Sequence, residues 1–467
     1  MSVDAAYYEQ LLRPAYEGVK FIVPLEVLAG SGPLLDVLAE WGAQPPFVLG
    51  GSPGTGEIPE FDPERFAMLD TSGGTMLEAI RAFFDAIHDL PDDVVAKIDR
   101  WDPDREAVAL GFWLDTDLPV AGRPQYGARP VEWAALEDKM TVDALWDEIG
   151  ITRAASDIVS VDEGAALEAA SRLDRGMGTV WVADNRDGWH GGGEFLRWVR
   201  HPNDVGEALG FFSTCADRIR VMPFLDGIPC SIHGMAFPDG EVIAFRPNEM
   251  IVFRVPGSSE LKYASVANFW EPRPDDAEYM RDVARRTAAH LHESLGYRGV
   301  VTIDGVVTDV GFLPTELNPR MGVGLAPVAR AADVPMGSLH RSVTHGDPFD
   351  YRPHELEDLL MAASESDRRA FARAVVFEPY EDNVEVSVVF DDGGVPAVTE
   401  DADTRHAAMA MGPAAAGRSI SVQFEPGGAP IGPPLAPRIA AAFSLADELW
   451  GAGIGPLEAA PDLRPSA

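Results

Sequence analysis

The chain has 467 residues, with 75 Asp and Glu against 37 Lys and Arg and a formal net charge of −38. That excess of negative charge repels nucleic-acid phosphates and anionic membrane surfaces and favours solubility. Two cysteines, Cys215 and Cys230, give no disulfide framework or zinc cluster, and no apolar run reaches the roughly 18 residues a membrane-spanning helix needs. Two to four subdomains are expected at this length. The opening MSVDAAYYEQLLRPAYEG lacks a basic stretch followed by an apolar one, so no secretory signal is expected and the reducing cytoplasm is the expected compartment. Only four lysines occur, Lys20, Lys97, Lys139 and Lys262, so a site that needs lysine has few candidates.

Taken in order, Phe21-Ile-Val and Phe47-Val-Leu read as buried strands with a helix over Leu34–Trp41 between them. Thr75–Leu90 has the spacing of an amphipathic helix, and Ala107–Leu114 reads as a further strand. Strand, helix, strand is the signature of a parallel α/β layer. Asp138–Gly150 and Val161–Leu173 read as helices, Gly178–Ala183 as a short strand, and a glycine-rich loop follows. Asn203–Thr214 is expected to be helical and Arg218–Phe224 a strand. Ser231–Phe237, Glu241–Arg246 and Met250–Arg254 read as an antiparallel meander, with Pro238-Asp239-Gly240 as a turn. A long helix is expected over Asp275–Leu295 and a hairpin over Val300–Thr308 and Phe312–Leu317.

Beyond His345, Pro353–Ala374 reads as polar helix, Arg373–Pro379 and Asn383–Phe390 as paired strands, and Arg438–Trp450 as a helix. Ala407–Gly417 and Gly427–Pro437 look like loops, and the last dozen residues look frayed. No solenoid-length repeat is present.

Two motifs are decoys. Gly51-Ser-Pro-Gly-Thr-Gly56 begins like a phosphate loop, but Glu57-Ile58 stands where Lys-Ser/Thr is required. Gly50-Gly-Ser52-Pro-Gly54 has the spacing of a nucleophile elbow, yet Pro53 has no N–H to serve an oxyanion. Both reduce to a glycine-rich turn after a buried strand. His290 and His292, two apart on a helix, face different sides and do not pair as metal ligands.

The chemistry concentrates in TIDGVVTDVGFLPTELNPRMG. Along a strand, Glu316 and Asn318 share a face, and Asp304 on the partner strand can reach it. Two carboxylates and an amide oxygen form a hard-oxygen set of the kind magnesium takes, with substrate phosphates completing the shell. Pro319 ends the strand and Arg320 places a fixed positive charge beside it. Phe312, Leu313 and Leu317 mark the strand as largely buried, where unpaired charges are costly.

Glu316-Leu-Asn-Pro-Arg320 resembles the metal-binding signature of ATP-grasp ligases. Asp138-Lys139 before a helix and Gly150-Ile151, the glycine-rich stretch Asp187–Gly193, and Val221-Met-Pro-Phe-Leu-Asp-Gly227 resemble, in order, that family's nucleotide lobe, its lid and its hinge strand. The resemblance implies Asp304, Glu316 and Asn318 as metal ligands, Lys139 on an ATP phosphate, and Gly191, Gly192 and Gly193 in the lid. Met222, Phe224 and Leu225 would read the adenine through backbone groups and pack on its face. Arg320 would clamp the phosphate or carboxylate, with Arg246 as its catalytic companion and Arg254 a weaker candidate. It implies ATP and Mg2+, with Mn2+ as a substitute, and a small carboxylate and amine as substrates (an amino acid or short peptide) joined through an acyl phosphate. A homodimer is compatible with it. One departure stands out: Gly178–Asp184 lacks the lysine most relatives carry before the lid.

The implied architecture is α/β and α+β: an ATP-grasp fold, two α+β lobes gripping ATP, preceded by an α/β layer. The expected divisions are 1–130, 131–225 for the small lobe, 226–345 for the large lobe, and an α+β domain over 346–467. The layout is similar to that of actinobacterial pheganomycin-type peptide ligases with a pre-ATP-grasp domain. An acceptor pocket is expected between the metal hairpin and the loop Lys262-Tyr263…Asn268-Phe-Trp270. Two rivals remain: a same-fold enzyme acting on a nonpeptide metabolite, and a silent nucleotide-binding scaffold. Carboxylation is disfavoured by the lack of a Met-flanked lysine for biotin.

Overall fold

A computed structural model describes residues 3–54, 56–71, 75–112, 114–186, 188–414 and 417–465. It opens with α1 (Ala5–Leu12), β1 (Lys20–Val27), α2 (Gly32–Glu40), β2 (Gln44–Ser52), β3 (Phe66–Met68), α3 (Met76–His88), α4 (Asp92–Trp101), β4 (Val108–Leu110) and β5 (Gln125–Tyr126). These strands form a parallel sheet in the order β3-β2-β1-β4-β5. Phe21, Ile22 and Val23 are all buried, as a strand covered on both faces requires. Thr75 and Glu78 close a capping box on α3, which fixes where that helix starts.

The next layer holds α5 (Val131–Ala134), α6 (Val142–Glu148), β6 (Asp157–Ser160), α7 (Glu163–Leu173), β7 (Thr179–Ala183), β8 (Leu196–Val199), α8 (Pro202–Cys215) and β9 (Arg218–Pro223). Its four strands run antiparallel in the order β6-β9-β7-β8. Trp181, Phe212, Ile219 and Val221 pack beneath α7 and α8.

The rest of the chain builds one 12-stranded sheet. It contains β10 (Ile228–Ala236), β11 (Val242–Ala244), β12 (Asn248–Arg254), β13 (Leu261–Ala267), β14 (Gly299–Thr308) and β15 (Gly311–Asn318), with α9 (Pro274–Leu295) inserted before β14. Three helices follow, α10 (Leu325–Ala332), α11 (Met336–His345) and α12 (Pro353–Ser366). Then come β16 (Ala370–Val376), β17 (Val384–Phe390), β18 (Pro396–Thr399), β19 (Ala407–Ala414), β20 (Gly417–Phe424), α13 (Ala436–Trp450) and β21 (Glu458–Ala459). The strand order is β15-β14-β10-β12-β13-β16-β20-β19-β17-β18, with β11 on β10 and β21 on β12. The C-terminal strands thus continue the sheet that carries the hairpin.

Several expectations change. Strands β11 and β12 both pair with β10, so the meander is a single broken partner strand. The segment Lys262–Ala267 is strand, not loop, because it bridges β12 to β16. Ala407–Ala414 is also strand: its alanines, small and apolar, pack between β17 and β20. Arg373–Pro379 and Asn383–Phe390 do not pair, since β16 lies on β13 and β20 while β17 lies on β18 and β19. The helix expected to Ala374 ends at Ser366, and the strand expected over Ala107–Leu114 shrinks to three residues, with Trp113 outside the described residues. The tail is not frayed through its described part: Glu458–Ala459 pairs with β12, and Arg464 binds Asp276 at 2.8 Å.

The parallel sheet is joined to the rest by a shared core. Phe21, Leu38 and Tyr126 pack with Leu325, Leu339 and Leu356. Gly127 lies at that seam with φ +76°, and a β-carbon there would come within 2.4 Å of Arg341 Cβ. Gly127→Ala is expected to lower unfolding stability by at least ~2 kcal/mol in urea titration, through left-handed strain and the clash together. A loss under about 0.5 kcal/mol would show the seam to be loose.

Candidate active site

Asp304 and Glu316 are directly paired across β14 and β15, and Thr302 faces Asn318. Directly paired side chains in an antiparallel ladder leave from the same face. The two carboxyls and the amide therefore share one surface, as the alternation of the sequence implied. Two like charges ~5 Å apart repel by roughly 3 kcal/mol at an effective dielectric of about 20. Lys139, on the segment leading into α6, answers that repulsion: its Nζ lies 2.5 Å from Glu316 Oε1. Burial raises the Glu316 carboxyl, but Lys139, with His190 and Arg320 behind it, holds the group below its usual range. Asp304 makes no ion pair among the described residues. Burial first, and Glu316 second, push its carboxyl up to about 6. Ser231 Oγ donates to Asp304 Oδ1 at 2.5 Å, and Asn318 Nδ2 donates to Oδ2 at 3.0 Å.

Pro319 ends the strand, and the Arg320 N–H turns back to the Asn318 carbonyl at 2.8 Å. Arg320 Nη2 donates to Asn318 Oδ1 at 3.1 Å and its Nε to Glu137 Oε1 at 2.8 Å. Glu137, 1% exposed, also accepts from Arg129 Nη1 at 2.6 Å. Burial would raise Glu137, but Arg320 and then Arg129 hold its carboxyl at about 2. Glu137 is thus an ionised strut that fixes the Arg320 charge beside the acid pair. Sequence reasoning missed it. The available signal was an acid two residues before Lys139 in an otherwise apolar Trp133–Leu136 run.

The glycine-rich stretch comes near this surface. Asp187 lies outside the described residues, but His190 is near enough to be shifted by the site: burial first, then Lys139, push its ring down to about 4. His190 Nε2 lies 3.1 Å from the Ala183 carbonyl, and its ring stacks on Phe195. Gly191, Gly192 and Gly193 form the turn before β8. Gly192 and Gly193 have φ of +65° and +79°, and no described atom comes within 4 Å of a β-carbon placed on Gly191 or Gly192. Arg81 of α3 donates its Nε to the Trp189 carbonyl at 2.9 Å, and its guanidinium carbon lies 5.5 Å from the Phe195 ring centre. The parallel layer therefore grips the segment through Arg81.

The expected adenine-side residues form a separate apolar group. Met222 and Phe224 pack with Val180 and Trp198, and Phe224 stacks on Trp198 at 4.1 Å between ring centres. One expectation needs correction. The Phe224 N–H is already donated to the Gly178 carbonyl at 3.0 Å, closing the β9–β7 pairing, so it cannot also read a base edge. Leu225, half-buried, follows the strand end. Arg254 sits over the Phe224 ring at 5.0 Å and pairs with Asp226.

Arg246 is engaged by an acid of its own. It lies just before β12, two strands beyond β14, and its Nη2 binds Glu271 Oε1 at 2.6 Å. Arg368 grips the same oxygen at 2.7 Å. The lysine missing from β7 is not replaced by the nearby Arg220. Arg220, opposite Val182, is held by Asp143 at 2.9 and 2.5 Å and by the Thr315 carbonyl at 2.7 Å. Tyr263 of β13, though exposed, is close enough for Asp304 and Arg320 to act on its hydroxyl. A recess of about 660 Å3 between Gly393–Pro396 and α13 contains none of these residues. Among the described residues no helix is long and apolar enough to cross a membrane.

No protein-family model matches the chain, and no curated protein matches it. Solved structures do. An N5-carboxyaminoimidazole ribonucleotide synthetase bound to ADP aligns with a TM-score of 0.51 at 13% identity, over 92% of this chain and 96% of that one. The biotin carboxylase domain of the Hydrogenobacter thermophilus 2-oxoglutarate carboxylase, solved with MgADP and bicarbonate, gives 0.53 at 12%, over 88% and 86%. Campylobacter jejuni biotin carboxylase, solved as a β,γ-ATP complex, gives 0.56 at 12%, over 88% of each chain. At these identities the likeness is one of fold. The chain has the ATP-grasp fold, mixed α/β and α+β, over nearly its whole length.

A carboxyl whose folded pKa lies above its unfolded value stabilises the fold only while protonated. Asp304 therefore contributes stability at low pH that is lost as pH rises from 3.8 to about 6. Asp304→Asn removes that loss. Its melting temperature is expected to exceed the wild type's by roughly 1–3 °C at about pH 7.5, and by less at about pH 5. An advantage independent of pH would show that charge opposition is not the cause. Millimolar Mg2+ alone should stabilise the wild type and leave the variant unmoved.

Proposed function

We propose that the protein is an ATP-dependent ligase that joins a carboxylate to an amine through an acyl phosphate, releasing ADP and phosphate. The single observation that carries this reading is the Asp304–Glu316 pair with Asn318 on one face and Lys139, Arg320 and the glycine-rich segment gathered around it. The donor set fits magnesium: two carboxyls from adjacent strands, one held ionised and the other pushed up by burial and then by its neighbour, with an amide that need only turn its oxygen inward. When bound, magnesium would neutralise the terminal phosphates of ATP.

The chain's own groups do the rest. Lys139 exchanges Glu316 for a phosphate oxygen, and Arg320, braced by Glu137, faces the transferred phosphoryl group. The substrate carboxylate oxygen takes the terminal phosphoryl group and ADP departs. The amine nitrogen then bonds to the carbonyl carbon, and the carbon–oxygen bond to phosphate breaks. Positioning and electrostatics supply the rate, so no protein nucleophile is required. Closing the glycine-rich segment excludes water from the acyl phosphate. The solved structures of the same fold that hold ADP, MgADP or a β,γ-ATP complex support nucleotide use here. We assign an amino acid or short peptide as the substrate class, from the resemblance of the sequence layout to that of peptide ligases. The divisions near residues 130, 225 and 345 suit a nucleotide cleft between the β9 layer and the hairpin sheet, and the negative surface suits a cytoplasmic protein without nucleic-acid or membrane partners.

A second reading, a nucleotide binder without turnover, draws on one observation: β7 carries no lysine and Arg220 is committed elsewhere. ADP release from Mg·ATP, with pooled carboxylates (bicarbonate among them) and the twenty amino acids, separates the two. Turnover with an amide product is expected. Tight ATP binding with no ADP release under any pool would favour the second reading.

In the active protein, Glu316→Gln and Asp304→Asn should each cut turnover at least ~100-fold with the circular-dichroism spectrum unchanged. Lys139→Ala should raise the KM for ATP by roughly 10–100-fold, the value of one charged hydrogen bond. Near-normal rates in both carboxyl variants would remove the metal assignment.

A further inference from the structure

A second polar row crosses the sheet beside the acid pair, on the same face. Asp304 lies between Glu316 and Ser231, while Thr302, two residues earlier, lies between Asn318 and His233. Asn248, at the start of β12, is paired with Ser231. His233 and Asn248 are both 0% exposed. Both ring nitrogens of His233 and Oδ1 of Asn248 lack a hydrogen-bond partner among the described residues. Buried polar groups are nearly always satisfied, so three such atoms on adjacent strands next to a reactive face call for a ligand.

What lies over them is the chain just after Arg320. A β-carbon on Gly322 would meet Thr302 Oγ1 at 2.8 Å and His233 Nε2 at 2.9 Å. One on Gly324 would meet His233 Cε1 at 2.6 Å and Asn248 Nδ2 at 3.1 Å. Val323, between the two glycines, points outward at 54% exposure. Glycine is present at both positions for space: backbone alone can lie on the imidazole. A cover of two glycines that is anchored at Arg320 can lift without dragging side chains through the site.

The orphaned atoms specify the ligand's chemistry. A neutral imidazole offers one lone pair and one N–H, and the Asn248 oxygen offers a second acceptor. Two unpartnered acceptors on neighbouring strands match a neutral primary amine, which has two N–H donors and one lone pair. A carboxylate would find the reverse of what it needs. We propose that His233 and Asn248 seat the attacking amine, under the Gly322–Gly324 cover, and leave its lone pair directed at the activated carboxyl. This rests on the ligase reading above. In the step itself nitrogen bonds to the carbonyl carbon, phosphate leaves with the carbon–oxygen electron pair, and the surplus amine proton goes to the departing phosphate.

The test uses the full chain with Mg·ATP, pooled carboxylates, and either the twenty amino acids or concentrated hydroxylamine as nucleophile. Hydroxylamine traps an acyl phosphate as a hydroxamate without needing a seat. For His233→Leu and Asn248→Leu, the KM for the amine is expected to rise about tenfold and the amide-to-hydroxamate ratio to fall by a similar factor. His233→Gln, which keeps an acceptor, should recover part of both. An unchanged KM, or amide and hydroxamate falling in parallel, would overturn the seat and leave the ligase intact. A wild type that makes neither product would sink the ligase reading and the seat with it.

Discussion

The site depends on two carboxyls set opposite each other in one rung of an antiparallel hairpin. Left alone, Asp304 and Glu316 would oppose the pairing that places them, since like charges in that position destabilise a ladder. The fold answers with unequal treatment. Glu316 receives Lys139 and stays ionised, while Asp304 receives only neutral donors and is pushed toward its protonated form. An arrangement held this way is incomplete in electrostatic terms. One further positive charge between the two carboxyls would relieve both, which is the physical content of calling the hairpin a cation site.

That logic was readable in the residues because it is local. Glu316, Asn318 and Asp304 sit on two short strands joined by Asp309-Val310, and alternation alone puts them on one face. Lys139 was recoverable for a different reason: with four lysines in the chain, few others could serve. Glu137 was not recoverable by the same means. Its role arises from Arg129 and Arg320, and Arg320 is 183 residues away in sequence. The same holds for His233, which looks like an ordinary strand residue until Gly322 and Gly324 are laid across it. The strands that were misread share a cause. Leu261–Ala267 and Ala407–Ala414 have weak strand patterns and become strands through their neighbours' hydrogen bonds, so tertiary pairing decided what propensity left open.

The parallel N-terminal layer, unremarkable by motif, has a structural part in the site. Arg81 reaches from α3 to the backbone of Trp189 and lies over Phe195, so the glycine-rich segment is tied at its flank and open at Gly191 and Gly192. Gly127 seats the same layer against α11 without room for a β-carbon. The glycine-rich stretch dismissed as a phosphate loop begins inside β2, where a β-carbon on Gly51 would strike the Glu26 carbonyl of β1 at 2.7 Å. Glycine thus serves two ends in this chain, close packing at the seams and freedom above the acids.

The two halves of the chemistry are held by different physics. On the phosphate side Lys139 pairs with Glu316 and Arg320 with Glu137, so its geometry is set by strong, long-reaching forces that tolerate solvent at the rim. Glu316 keeps 29% of its side chain exposed. On the amine side the groups are neutral, fully buried and unpaired, so they discriminate by hydrogen-bond count and shape alone. A neutral seat suits a nucleophile, because a charged one would favour the ammonium form and withhold the lone pair that must attack. In the proposed reaction, placing it one residue pair from the acids, yet under a separate glycine cover, would let the same β-sheet hold a highly charged nucleotide and an uncharged amine without either environment dictating the other.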